Sequence, residues 1–178
     1  MTEEPKVCVD RVLSSEEAFE AARLAIEENP ENLPVAVVHP GLGVAPPTPL
    51  ELALVAGKKW KVGRTLTIGF LDGEADVQDV VGEIAREWCQ HANLDFEFGA
   101  AADADIRISF QHSGSWSYIG TDAKTIASNQ PTMNYGWLTP TTPYEEYQRV
   151  VRHEFGHALG CIHEHQNPAG NIPWDKEA

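Results

Sequence analysis

The 178-residue sequence predicts an α+β fold: a small twisted mixed sheet, backed by one helix near 76–92 and fronted by a second at 143–159. Three observations carry this. Short β-branched and apolar runs recur between residues 65 and 135. Two longer segments place apolar residues at helical spacing. Six Pro and Gly residues between 40 and 49 set the first third of the chain apart, because proline cannot donate to a sheet.

Ser14-Ser15-Glu16-Glu17 begins a helix, with Ser14 as N-cap and Glu17 closing a capping box. Ala18, Phe19, Ala22, Ala25 and Ile26 follow on one face, and Asn29-Pro30 ends it. A short apolar run, Val35 to Val38, precedes the proline-rich stretch. Residues 1–56 read as an acidic, Pro-rich N-terminal extension, pro-segment or linker, docked on the surface or partly disordered. The boundary falls near Gly57. Beyond it, Thr65–Leu71 reads as a strand, Asp72-Gly73 as a turn, and Val77 to Ala92 as an amphipathic helix. Asp95–Phe98 and Ile106–Phe110 are strands of period two, with Ser115–Ile119 and Thr132–Tyr135 as further candidates. The last helix starts at Pro143, with Thr142 as N-cap and Glu145 completing a capping box, and Gly160 ends it.

Charge narrows the function classes. The net charge is −14, and residues 1–56 hold ten acids against three bases. No basic face exists for nucleic acid, and no polybasic patch for a membrane surface. No stretch approaches the roughly 20 apolar residues of a membrane span. The N-terminus lacks the positive start and apolar core of a secretory signal, so the chain as written reads as cytoplasmic. Cys8, Cys89 and Cys161 are odd in number and form no Cys-x-x-Cys pair, which argues against a disulfide framework and a cysteine-based zinc site.

The last helix carries the chemistry. His153-Glu154-Phe155-Gly156-His157 sets two imidazoles one turn apart on one face. Gly160 turns the chain back, and His163 can supply a third nitrogen. Three histidine ligands with an open fourth position mark a catalytic rather than a structural zinc site. Zinc there would lower the pKa of a bound water from about 16 toward about 7. Glu154, next to the first ligand, is placed to take the proton as general base and to pass it to a leaving amine. This predicts a zinc-dependent endopeptidase acting on proteins or peptides. A non-catalytic zinc-binding module, or an inactive fragment of a metallopeptidase, is the alternative.

The HExxHxxGxxH pattern resembles the signature of the metzincin zinc endopeptidases. Gly156 resembles the glycine of the matrix metalloproteinase and serralysin groups, and Glu164 the residue that often follows the third ligand in the astacin group. The order of elements over 58–165 resembles the upper metzincin subdomain. That resemblance implies that Ser115, Trp116, Ser117 and Tyr118 form the antiparallel edge strand above the cleft and bind extended substrate by strand addition. It also implies a protein that is often secreted. Metzincins carry a methionine turn below the zinc, downstream of the third histidine. Met1 and Met133 both precede His153, so residues 57–178 are expected to be a catalytic domain truncated at its C-terminus.

Other polar residues read as structural. Cys8 could in principle ligate the zinc and hold a zymogen latent, but its surroundings do not match the matrix metalloproteinase switch motif and it is expected as an ordinary thiol. Cys161 is expected as a small packing residue, His165 as an exposed turn residue, and His39, His91 and His112 as surface or satisfied histidines. Asp72, Glu74 and Asp76 suit a helix N-terminus better than a calcium loop. Trp88 and Trp137 are expected in the core or the cleft wall.

Overall fold

Helix formation at the N-terminus is local. In this computed structural model, α1 spans Ser15–Glu28, and Ser14 and Glu17 form the reciprocal capping box. The structure describes residues 6–9, 11–33 and 57–163, and the backbone of 37–39 and 43–45. The expectations for Val35-Ala36, the proline-rich stretch, the side chain of His39, Glu164, His165 and 171–178 lie outside the described residues. Strands β1 (Val37–His39) and β2 (Gly43–Ala45) pair antiparallel as a separate ribbon.

The main sheet contains β3 (Thr65–Phe70), β4 (Asp95–Gly99), β5 (Ile106–Ser109), β6 (Ser115–Ser117) and β7 (Met133–Tyr135), in the order β4-β3-β5-β7-β6. All neighbours pair parallel except β6, which runs antiparallel to β7. The register puts Leu66, Ile68, Ile106, Ile108, Met133 and Tyr135 on one face. Helices α2 (Ala75–Ala85) and α3 (Tyr144–Ala158) bring Val81, Ile84, Val151 and Phe155 into the same buried core. The fold is α+β, but both helices lie on one face, where the sequence suggested one behind the sheet and one in front. Phe155 is fully buried and packs at 5.6 Å against Phe96 with the rings tilted, worth about 1.5–3 kcal/mol from burial alone.

The opposite face of β5 is polar and still buried. Arg107 donates to the carbonyls of Ala104, Ile126, Ala127 and Gln130, so its charge is satisfied without a carboxylate. Asp72 accepts from Ser109 Oγ at 2.6 Å and from the Phe110 amide at 2.7 Å. It therefore ties the end of β3 to β5 instead of capping α2, whose N-cap is Glu74 with no side-chain bond.

Two helix boundaries differ from expectation. The α2 helix ends at Ala85 and tightens into a 3-10 turn over Arg86–Gln90, short of Ala92. The N-cap of α3 is Pro143, with no capping box. Thr142 Oγ1 is committed elsewhere: it accepts from the Thr139 amide at 3.0 Å and donates to the Trp137 carbonyl at 3.3 Å. No helix among the described residues is long and apolar enough to cross a membrane.

The N-terminal segment is docked on this body. The Val9 amide donates to the Ser115 carbonyl at 2.9 Å, and Cys8 bridges Ser115 in parallel, so residues 7–9 extend the sheet beyond β6. Helix α1 lies against the 3-10 turn Gly120–Thr125, with Glu28 held by Arg64 and Lys124.

Candidate metal centre

Helix α3 places His153 and His157 on one face, and Gly160 (φ 107°) reverses the chain behind them. That reversal returns His163 to the same point. Nε2 of His153 lies 3.1 Å from Nε2 of His157 and 3.1 Å from Nε2 of His163. Metal–nitrogen bonds of about 2.0–2.1 Å at tetrahedral angles would set such nitrogens roughly 3.3–3.4 Å apart. The three donors are therefore nearly at coordination spacing.

The tautomers agree with this. Nδ1 of His157 is 2.8 Å from the carbonyl of Cys161, an acceptor only, so Nδ1 carries the proton and Nε2 presents its lone pair. Such a second hydrogen bond orients a ligating imidazole. The sequence reading missed this role of Cys161, which is played by its backbone.

Glu154 is fully buried beside the cluster. Below it on β7, the buried Tyr135 hydroxyl is held well above its usual pKa by burial and by the nearby Glu154 charge. Trp88 walls the other side: its indole donates to the Arg152 carbonyl at 3.2 Å, and a Cβ on Gly156 would stand 3.4 Å from its ring. The ring thus packs directly on the ligand helix at Gly156. A cavity of about 330 Å³ opens here, lined by Trp88, Arg152 and the three histidines among others.

The arrangement contains a fourth donor. Cys8 Sγ lies 3.6 Å from His157 Nε2 and 3.8 Å from Glu154 Oε2. Ligand atoms of Cys8, His153, His157 and His163 all fall within 4.8 Å of one another, a group that could hold a metal ion. Cys8, expected as an ordinary thiol, is brought beside the histidines by pairing of residues 7–9 with β6. The signal lay in the docking of the segment, which a search for the switch motif cannot find.

Ser115, Trp116 and Ser117 form the edge strand β6, with Tyr118 just beyond it. Ser115 and Ser117 register with Tyr135 and Met133 and share the face of α3, while Trp116 shares the opposite face with Asn134. Met133 is buried in the core. His112 packs on Trp116 at 5.9 Å, and Trp137 donates to Glu146 at 2.9 Å.

Solved structures of myroilysin are similar to this chain. One shares 48% identity with a TM-score of 0.66, over 69% of this chain and 60% of that chain. A second shares 48% identity with a TM-score of 0.59, over 66% of this chain and 52% of that chain. The chain thus spans somewhat more than half the length of these relatives. No protein-family model matches the sequence, and no curated protein matches it.

Proposed function

We propose that this chain carries the active site of a metzincin-type zinc endopeptidase, held in a closed state. The observation that carries the reading is the convergence of three histidine Nε2 atoms beside the buried carboxylate of Glu154. The similarity to myroilysin supports a metallopeptidase-like fold and function. His153, His157 and His163 would hold Zn²⁺, and their all-nitrogen set with a vacancy suits a catalytic ion. When bound, zinc supplies a Lewis acid that polarises a carbonyl and acidifies water.

The chain's own groups supply the rest. Cys161 fixes the ring of His157 through its carbonyl. Glu154 is held by burial in one position, so its carboxylate can accept a proton and return it to a leaving amine without rearranging. The edge of β6 offers backbone donors and acceptors to an extended peptide, and Ser115 already uses both of its groups on residues 7 and 9. The substrates proposed are proteins or peptides.

Cys8 gives the closed state its chemistry. As a thiolate it would complete the ligand set where catalysis needs a vacancy, while residues 7–9 cover the edge that substrate would use. Residues 1–56 then form a regulatory extension, and the catalytic domain follows from residue 57.

The test is cleavage of a mixed peptide library by the zinc-loaded Cys8→Ala protein, with and without a chelator, beside the same protein carrying Glu154→Gln as well. Removal of the general base should cost about 10²–10⁴ in rate with zinc still bound. Equal cleavage by the two proteins would defeat the assignment.

A further inference from the structure

Arg11 sits on a built aromatic seat. Its guanidinium carbon lies 3.7 Å from the centroid of the Trp116 ring, well inside the roughly 6 Å range of a cation–π contact. Trp116 is only 3% exposed, and His112 and Tyr118 flank it at 5.9 and 6.2 Å, Tyr118 edge-on. Arg11 Nε is buried with no hydrogen-bond partner among the described residues, so the ring face holds the cation. The same seat borders a cavity of about 430 Å³ that continues past Tyr118 to Thr125 and Gln130.

The position of this seat gives it meaning. Cys8 pairs with Ser115 and points to the histidine face of the sheet. Trp116 points to the opposite face. Side chains of an extended peptide alternate between faces, so residues an odd number of positions apart meet different sides. Arg11 is three positions beyond Cys8 and meets Trp116 accordingly. A peptide lying along β6 would likewise send one side chain to the metal face and another, an odd number of residues away, to Trp116. Because the ring belongs to the edge strand itself, an extended chain meets it in either direction.

We propose that Trp116 determines substrate specificity: with the N-terminal segment displaced, its ring takes an arginine or lysine side chain of the peptide substrate. Arg11 is the occupant of this subsite in the closed state. This rests on the endopeptidase reading above and adds the class of side chain selected. Arginine is preferred over lysine, because a planar guanidinium stacks on indole. Tryptophan gives the strongest such contact among the aromatic residues.

The experiment uses the full chain with Cys8→Ala and Arg11→Ala, which removes the two side chains that occupy the metal centre and the Trp116 ring, and with Glu154→Gln, which prevents turnover. The zinc-loaded protein is immobilised and a random peptide library is passed over it. Retained peptides are expected to show arginine, then lysine, enriched about fivefold to tenfold at one fixed position. A general attraction to this acidic protein would spread the enrichment over all positions instead. Adding Trp116→Leu should abolish the positional preference, and Trp116→Phe should retain part of it. If the leucine variant does not fold, the phenylalanine variant decides. No retained peptides, no positional preference, or a preference unchanged in both variants overturns the proposal. The counterpart with Glu154 intact separates the two readings. Basic peptides held but never cut sink the endopeptidase and leave the subsite. Cutting without a basic preference does the reverse.

Discussion

Cys8 Sγ and His157 Nε2 lie 3.6 Å apart across 149 residues of sequence. The contact joins two independent arrangements: pairing of residues 7–9 with β6, and the turn of α3 that presents the histidines. On the function proposed above, a sulfur at that point would compete for the coordination position that an attacking water needs.

The protein loaded with cobalt should therefore show a sulfur-to-metal charge-transfer band, and Cys8→Ser should lose it. The same substitution should raise initial cleavage by about tenfold or more, since a tethered ligand at high effective concentration is removed. A wild-type cobalt spectrum without a sulfur band would refute coordination by Cys8.

Gly160 at φ 107° is the hinge between the second and third histidines. Alanine there costs about 1–3 kcal/mol of backbone strain. The strain falls on the turn that aims His163, so zinc affinity should drop more than thermal stability of the metal-free protein. Competition with a chromogenic chelator, set against melting curves without metal, measures both. Equal losses would mean that the glycine serves the fold alone.

Much of this was readable from sequence because it is local. The capping box of α1 needs only Ser14 and Glu17, and the spacing of His153, Glu154 and His157 needs only a helix. Gly160 followed by His163 needs only a glycine turn. What sequence could not reveal depends on which of several competing partners, near or far along the chain, takes a polar group. Thr142 failed as a cap because Thr139 and Trp137 claimed its hydroxyl. Asp72 left the helix start for Ser109 and Phe110. The placement of Cys8 depends on strand addition, which leaves little trace in an odd cysteine within an acidic segment. Helix α2 looked longer because Trp88 continues its apolar stripe while the backbone tightens beneath it.

Arg107 organises the polar face of the sheet, on the side away from the helices. Its guanidinium satisfies four carbonyls, three of them in the segment 126–130 that leads into β7. Replacement by methionine keeps the stem but leaves those acceptors buried without a donor, at about 3–5 kcal/mol. Denaturant unfolding should show the loss. Lysine restores charge but not the fork, so Arg107→Lys should recover less than half of it. Full recovery by lysine would show that charge alone matters.

Docking of α1 should weaken in acid, and Glu28 sets the direction. Burial raises the pKa of its carboxyl, but hydrogen bonds from Arg64 and Lys124 outweigh this and hold it below the ordinary glutamate value. Arg64 also pairs with Asp105, so the anchor belongs to the body of the domain. A carboxylate with a depressed folded pKa contributes stability that is fully present above its free value of about 4.3. That stability is lost as pH falls through the lower, folded value. Amide exchange in α1 should therefore accelerate relative to β5 as pH drops below about 4.3, after correction for intrinsic rates. Glu28→Gln should exchange faster in α1 at neutral pH and lose most of the additional acid response. Parallel acid loosening in both proteins would show that other carboxylates hold the segment.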